Sequence, residues 1–367
     1  MPRKRAPSLA GTAGPAEGRR LDIGEIARRV GVARSTVSYA LSGNRSISPE
    51  KRAEILRVVE DLGYRPNASA QALAEGRSRT IGLLLPPPSH RLLESQLAFV
   101  AALSELVSDA DLDLLLSPSG GEHPRSFRRM LSGRRVDGVL VMEVRMRDER
   151  IDALERSGIP YVLIGRPADP AGLFWADFDY GGLVESCVAH LAERGHRRIA
   201  LLNRPAEMLA AGYGVACRAV ESFEAAAARR GLRARAFCCA DSAAGGEDCM
   251  REILAARPRF TAAVTINDGA LVGISRALDR AQVRVPQDFS LIGVVGERCA
   301  EDFHPRLTGP VISPGEVVRQ AFGLLKERMA HPRLEPRHFL YVPPITLGAT
   351  TGWVPEPRRA SARLRPR

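Results

Sequence analysis

Apolar residues near the N-terminus repeat at the helical period: Ile23, Ile26, Ala27 and Val30 fall three and four apart. Asp22 followed three residues later by Glu25 supplies the start signal of a capping box, and Gly31 supplies the stop. A second short helix is expected over Arg34–Leu41, where Val37 and Leu41, four apart, form the face that packs on the first. Gly31-Val32-Ala33 makes the turn between them. A third helix starts at Ser48 with Pro49 at its first helical position, and runs through Ile55, Val58, Val59 and Leu62 to Gly63. Two short helices joined by a glycine turn and braced by a third form a helix-turn-helix, whose second helix enters the major groove of DNA.

After Tyr64 the pattern weakens. Asn67 can cap a helix over residues 68–75 that Gly76 ends, but two turns are marginal in water, where isolated helices need more than about 12 residues. Its one large apolar side chain, Leu73, suits a wedge between base steps in the minor groove, or else a plug onto the rest of the protein. From Thr80 onward short apolar strands alternate with amphipathic helices. The runs IGLLLP, LDLLLS, VDGVLVM, IPYVLIG, RRIALL, TAAVTI and FSLIGVV are separated by helical stretches near 92–109, 127–132, 149–157, 222–230, 249–257 and 269–280. That alternation predicts parallel α/β sheets, with ligands at the carboxyl ends of the strands.

Charge adds a partner to this picture. Residues 1–80 carry a net +7 and residues 356–367 a net +4, leaving 81–355 neutral. Basic charge on a small helical module is the footprint of polyanion binding, because Lys and Arg displace counterions from phosphates. With 50 Arg to 3 Lys, part of the excess reflects composition. At 367 residues, 45% apolar, the chain has room for two or three domains, and no apolar run approaches the ~18 residues of a membrane span. The N-terminus has no apolar core of a secretory signal, so the cytoplasm, with the nucleoid, is the expected compartment. Six cysteines without CxxC spacing suit reduced thiols better than disulfides or zinc.

DIGEIARRVGVARSTVSYAL, ISPEKRAEILRVVEDLGYRPN and AQALAEGRSRTIGLLLP follow one another in the order and spacing of the LacI (lactose-repressor/galactose-repressor) transcriptional regulators, which the chain resembles. The resemblance extends through GRP, ADFDYGG, AHLAERGHRRIALL, Asn267-Asp268 and VPQDFSLIG, about 21–350 in all. It implies an all-α helix-turn-helix domain followed by a two-lobed α/β core like that of periplasmic binding proteins. The boundaries expected are a disordered basic tail at 1–20, the DNA-binding domain at 21–66 and a hinge helix and linker at 67–79. An effector-binding and dimerisation domain follows at 80–350 (one lobe about 80–194 and 311–340, the other about 195–310 and 341–350), then a basic tail at 351–367.

Carried over position by position, Arg34, Ser35, Ser38 and Tyr39 read bases and Thr36 meets phosphate, while Ala70 and Leu73 enter the minor groove. The residues facing an effector are Arg166, Asp179, Tyr180, Arg218, Asn267 and Asp268. Asn267-Asp268 could instead cap the following helix, and Arg218 could lie on the surface. Four departures from the family pattern matter. Ala33 replaces a Ser or Thr cap worth about 1 kcal/mol. Tyr39 stands where many members have Arg, Val294-Val295-Gly296 replace an aromatic and two Asp, and Leu347 replaces an Arg. A cleft short of hydroxyl-binding carboxylates argues against an ordinary sugar effector, and Phe174 or Trp175 could stack on a ligand ring or simply pack.

The function expected is a transcriptional regulator, a repressor, that binds a pseudo-palindromic double-stranded operator as a homodimer, with a tetramer left open, and answers to a small-molecule effector. The alternative is a DNA-binding protein of the same fold without an effector. No cofactor, metal or membrane is called for. GxGxxG after the first strand, a P-loop and GxSxG are all missing, and the seven His show no metal spacing, so an enzyme is not expected.

Overall fold

A computed structural model describes residues 22–42, 47–64, 77–86, 93–118, 124–133 and 135–354. Two compact units divide the chain, one within residues 1–78 and one within 79–367. The expected N-terminal tail, the hinge helix with Ala70 and Leu73, and the basic stretch from 355 lie outside the described residues.

In the first unit, α1 (Ile23–Val30), α2 (Arg34–Ser42) and α3 (Pro49–Asp61) enclose a small core of Ile26, Ala27, Val30, Val37, Ala40 and Ile55. Val37 and Ala40 are the buried pair of α2, and Leu41 is only half-buried. Asp22 Oδ1 accepts from Glu25 N at 2.9 Å, whereas the Glu25 carboxylate engages Arg28 and Arg29. Gly31, at φ +69°, takes the left-handed conformation that ends α1 without a Cβ penalty. Two basic side chains of α3 then satisfy the orphan carbonyls of its neighbours: Lys51 Nζ donates to Val30 O and Arg52 Nε to Ala40 O, each at 3.3 Å.

The second unit holds two layered lobes. In the first, β1 (Thr80–Leu85), β2 (Asp113–Pro118), β3 (Gly138–Val141), β4 (Tyr161–Ile164) and β5 (Trp175–Phe178) are joined by α4 (Glu94–Asp109), α5 (Pro124–Ser132) and α6 (Glu149–Ser157). All strand pairs are parallel, and β12 (His338–Tyr341) adds a sixth strand, giving the order β12-β5-β4-β3-β1-β2. Continuously apolar strands such as VLV in β3 and YVLI in β4 are fully buried, as parallel sheets covered on both faces require.

The second lobe is built on β6 (Arg198–Asn203), β7 (Arg233–Cys238), β8 (Ala262–Thr265) and β9 (Ser290–Gly293), in the parallel order β7-β6-β8-β9. Its helices are α7 (Tyr180–Glu193), α8 (Ala206–Ala210), α9 (Gly214–Arg229), α10 (Ala243–Ala255) and α11 (Leu271–Arg280). A small sheet of β10 (Val295–Gly296), β11 (Gly309–Ile312) and β13 (Ile345–Thr346) flanks it, next to α12 (Glu297–Asp302). Helix α13 (Gly315–Ala330) returns to pack on β3, β4 and β5.

Two boundaries differ from the expectation. Helix α7 packs on α9 and against β8, β9 and β11, so the chain passes into the second lobe at residue 179 rather than 194. At the other end, Thr351–Val354 belongs to the body rather than to a tail. His196, fully buried, faces Thr261 Oγ1 at 2.9 Å through Nδ1, and Ser290 Oγ and the Gly352 carbonyl at 3.1 Å through Nε2. Leu291 N donates to Thr350 O and Val354 N to Arg194 O, both at 2.9 Å, which fixes the segment to the sheet edge.

Candidate functional site

Helix α2 turns its apolar residues inward and its polar ones outward. Arg34 and Ser35 are exposed, while Thr36, Ser38 and Tyr39 are half-exposed around the buried Val37 and Ala40. The Arg34 side chain is 75% exposed, and its guanidinium lies 3.9 Å from Asp22. It rests over Gly24, where a Cβ would stand 2.5 Å from Nη2. A bare backbone on one side and a carboxylate on the other hold a long side chain at the start of the helix, in reach of whatever that face meets. The N-terminal N–H groups of α2 meet no side-chain cap from Ala33, whose carbonyl already accepts from Thr36 N and Val37 N.

In the body, a cavity of about 70 Å³ opens where the strands of the first lobe end and the second lobe covers them. Met142, Glu143 and Val144 follow β3, Gly165 and Arg166 follow β4, and Asp177 and Phe178 close β5. The N-terminal turns of α4 bring Ser95, Gln96 and Phe99, and Val317 comes from α13. Across the cleft stand Tyr180, Arg204 and the first turns of α9, with Gly214, Val215 and Arg218.

Charge in this cavity is largely self-paired. Arg166 bridges Asp177 at 3.0 Å and Asp179 at 3.3 Å, and Arg204 grips Asp241 through two parallel bonds of 3.0 and 2.8 Å. Burial pushes the Asp177 carboxyl up to about 7, against the lowering effect of Arg166 and Arg218. Burial, with Asp177 and Glu143 nearby, raises the Tyr180 phenol, so it acts as a neutral hydroxyl. Burial and the neighbouring Arg166 lower Arg218, whose Nη2 donates to the Pro167 carbonyl at 2.8 Å.

The lobes also touch at the cleft's margins. On one side Ser95 N donates to Asp268 Oδ2 at 3.3 Å, and on the other Gly214 N donates to Val144 O at 2.9 Å and Met146 N to Gly212 O at 2.7 Å. Among the described residues no group of His, Cys, Asp and Glu could hold a metal ion, and no helix is long and apolar enough to cross a membrane.

Comparison with known proteins agrees with both halves of this geometry. Residues 22–67 match the model of the bacterial regulatory proteins of the lacI family, and residues 188–351 that of a periplasmic binding protein-like domain. The chain is similar to the HTH-type transcriptional regulator AglR of Rhizobium meliloti (strain 1021), with 31% identity over 280 residues, 74% of this chain and 77% of that one. It is also similar to the HTH-type transcriptional repressor PurR of Vibrio atlanticus (strain LGP32), with 30% identity over 338 residues, 89% and 98% of the two chains. The chain belongs to the LacI family. As a member it is a sequence-specific DNA-binding transcriptional regulator, and LacI-family regulators are not enzymes. Among solved structures, the lac repressor dimer bound to operator and the anti-inducer ONPF has the same fold, with a TM-score of 0.78 at 21% identity, covering 91% of this chain and 100% of that one.

For the effector residues that the LacI resemblance implies, the structure divides the set. Arg166, Tyr180 and Arg218 reach the cavity wall, and Arg218 is half-buried rather than on the surface. Asp179 stands behind Arg166 as its second carboxylate. Asn267 and Asp268 do not line the cavity. Asn267 is fully buried and makes no capping bond; its Nδ2 donates to Cys239 O at 2.8 Å and Asn203 O at 3.5 Å, tying together the ends of three strands. Asp268 instead meets Ser95 across the cleft margin.

Neither aromatic candidate lines the cavity. Trp175 stacks on His338 with ring centroids 4.6 Å apart, and Phe174 lies buried under the Arg328 guanidinium at 4.8 Å. Val294 and Val295 are core residues, and Leu347 is 68% exposed. The polar wall that sequence reasoning missed comprises Gln96, Glu143, Asp177 and Arg204. Asp177 carried a signal, since it stands two residues before Asp179 and therefore on the same side of an extended strand. Glu143 and Arg204 each follow an apolar strand, the position where α/β sheets place their ligands, and could have been found by that rule.

Proposed function

We propose that this regulator binds a pseudo-palindromic operator as a homodimer and acts as a repressor, with Arg34, Ser35, Ser38 and Tyr39 reading base edges and Thr36 meeting phosphate. The observation that carries this reading is the outward polar face of α2 over a buried Val37–Ala40 stripe. One such face spans only a few base pairs, and two-fold symmetry doubles the contact. The operator-bound lac repressor dimer of the same fold supports the pairing. By family resemblance, Ala70 and Leu73 add a minor-groove contact at the operator centre. Selection of bound duplexes from a random pool, followed by footprinting at moderate salt, tests the reading; protection of one asymmetric half-site by a single protomer refutes it.

We further propose that a small molecule in the interlobe cleft modulates DNA affinity. What supports this is a polar cavity walled by both lobes, whose margins are joined by contacts such as Asp268 to Ser95. A ligand shifts the balance between lobe arrangements only by binding one of them better, with typical coupling of about 1–3 kcal/mol. A second reading, regulation without any effector, is favoured by the self-paired Arg166–Asp177–Asp179 and Arg204–Asp241 groups, which already satisfy one another. Operator affinity measured with and without a small-metabolite extract separates the two: no change in affinity selects the second.

A further inference from the structure

Pairing in the cleft leaves two groups with opposite charge nearby but no ion-pair contact: Asp177 and Glu221 act on Arg218, and Glu143 on Arg204, only through space. Arg218 donates one N–H to the Pro167 carbonyl, and among the described residues no carboxylate lies within ion-pair distance of it. Glu143 uses Oε1 to accept from Gln96 Nε2, while its Oε2 is buried with no hydrogen-bond partner. A buried carboxylate oxygen without a donor is costly and calls for an explanation.

Glu143 also sits at φ +52°, a left-handed conformation that is unfavourable for a side chain of its kind. The surrounding structure imposes it. Arg150, buried and paired to Asp148 at 2.6 Å, donates through Nη2 to the carbonyls of Met142 at 3.1 Å and Glu143 at 2.8 Å. The carboxylate is thereby aimed into the cavity rather than allowed to turn to solvent. Arg218 and Glu143 line one cavity and do not pair with each other, so a guanidinium without an ion-pair contact and a carboxylate oxygen without a donor face the same space.

We propose that the cleft binds a small organic acid that also carries a hydrogen-bond donor, its anionic group on Arg218 and its N–H or O–H on Glu143 Oε2. This rests on the effector reading of the cleft and names its ligand class. Amino acids and hydroxy acids share this chemistry. A neutral sugar supplies the donor and leaves the guanidinium without an anion. Size agrees: about 70 Å³ exceeds the ~10–15 Å³ that one water needs and falls well below the ~300–1,000 Å³ of sites for drug-sized ligands.

The test is calorimetric titration of the full chain with the twenty amino acids, with lactate, malate and glucuronate, and with glucose, galactose and amino acid amides as neutral counterparts. At least one acid is expected to bind, with its neutral counterpart at least tenfold weaker, and to change operator affinity. The arm that responds, amino or hydroxy acid, identifies the donor. Arg218→Met and Glu143→Gln, each checked by thermal melting to be folded, should each weaken that binding at least tenfold. Tight binding of a neutral sugar that is lost in Arg218→Met overturns the acid class while leaving the cleft as the effector site. Failure of every acid to bind, or binding that both variants leave intact, overturns the proposal; the cleft reading falls with it only if no compound of the panel, sugars included, changes operator affinity.

Discussion

The reading head and the cleft handle polar groups in opposite ways. In the head, six buried apolar residues among those described, with half-buried ones packed on them, make the core, polar side chains point outward, and Lys51 and Arg52 reach in to finish helix ends. In the cleft, charges from segments far apart in sequence are drawn into a low-dielectric space, where they pair, shift one another's protonation and leave Arg218 without an ion-pair contact and Glu143 Oε2 without a donor. Exposed charge is inexpensive and can change with the DNA sequence being read. Buried charge is costly unless paired, so its arrangement is specific and resists partial change.

The largest expected effect breaks the cleft's support. Arg150→Met leaves Asp148, whose side chain is almost fully buried, without its cation and should destabilise the body by about 3–5 kcal/mol. Urea denaturation should show an earlier body transition, while amide exchange in α1–α3 stays as in wild type. Removing core from the head comes next. Ile26→Ala, at a fully buried site, should cost about 2–5 kcal/mol and abolish operator binding. Here the melting temperature of the body should not move; if it falls in parallel, the two units do not unfold independently.

Arg34→Ala tests exposed charge, and should weaken operator binding by about 1–3 kcal/mol in a sequence-dependent way. Equal losses on operator and random duplexes would reduce Arg34 to a phosphate contact. An effect no larger than that sharpens the comparison through pH. Burial, helped by Arg194, pushes His190 down to about 4 from 6.5, and burial also lowers His196. Below pH 6.5 the unfolded chain takes up a proton that folded His190 refuses until about pH 4, so stability falls across that window. Asp177 acts in the opposite sense. With its carboxyl raised to about 7 from 3.8, the folded state holds a proton that the unfolded chain releases, a contribution present at low pH and lost as pH rises through 7. Denaturation of His190→Gln between pH 4 and 7 should lose a decline of up to about 3 kcal/mol. A pH profile unchanged from wild type would reject the assignment. Smallest is the cap: Asp22→Ala should cost about 1 kcal/mol in the head and loosen Arg34, read as an earlier loss of helix signal on heating.

Legibility in the sequence followed range. Helices α1 and α3 were readable because a cap, a stop and the apolar period all lie within a dozen residues, and the capping bonds at Asp22 and Ser48 form where the pattern puts them. Helix α9 was not: it begins at Gly214, eight residues before the expected start, because Gly-Val-Ala-Cys offers no cap and the helix is held by its packing on α7 and β7. Asn267 shows the same limit within the cleft. Local pattern offered a ligand or a cap, and its amide ties strand ends 28 and 64 residues away.

The sequence by itself determined the three-helix head, the outward face of α2, the alternation that makes two parallel sheets, and membership in the LacI family. Those features depend on neighbours along the chain, where periodicity and turn chemistry act directly. Only the tertiary structure decided that Asp177 rather than Asp179 lines the cavity, that Asn267 and Asp268 are strand tie and lobe contact, and that Glu143 is held strained, with one carboxylate oxygen unpartnered, in the cavity that Arg218 also lines. The physical reason is that burial and pairing set the cost of each charge, and both are fixed by segments that meet only after the chain has passed between the lobes.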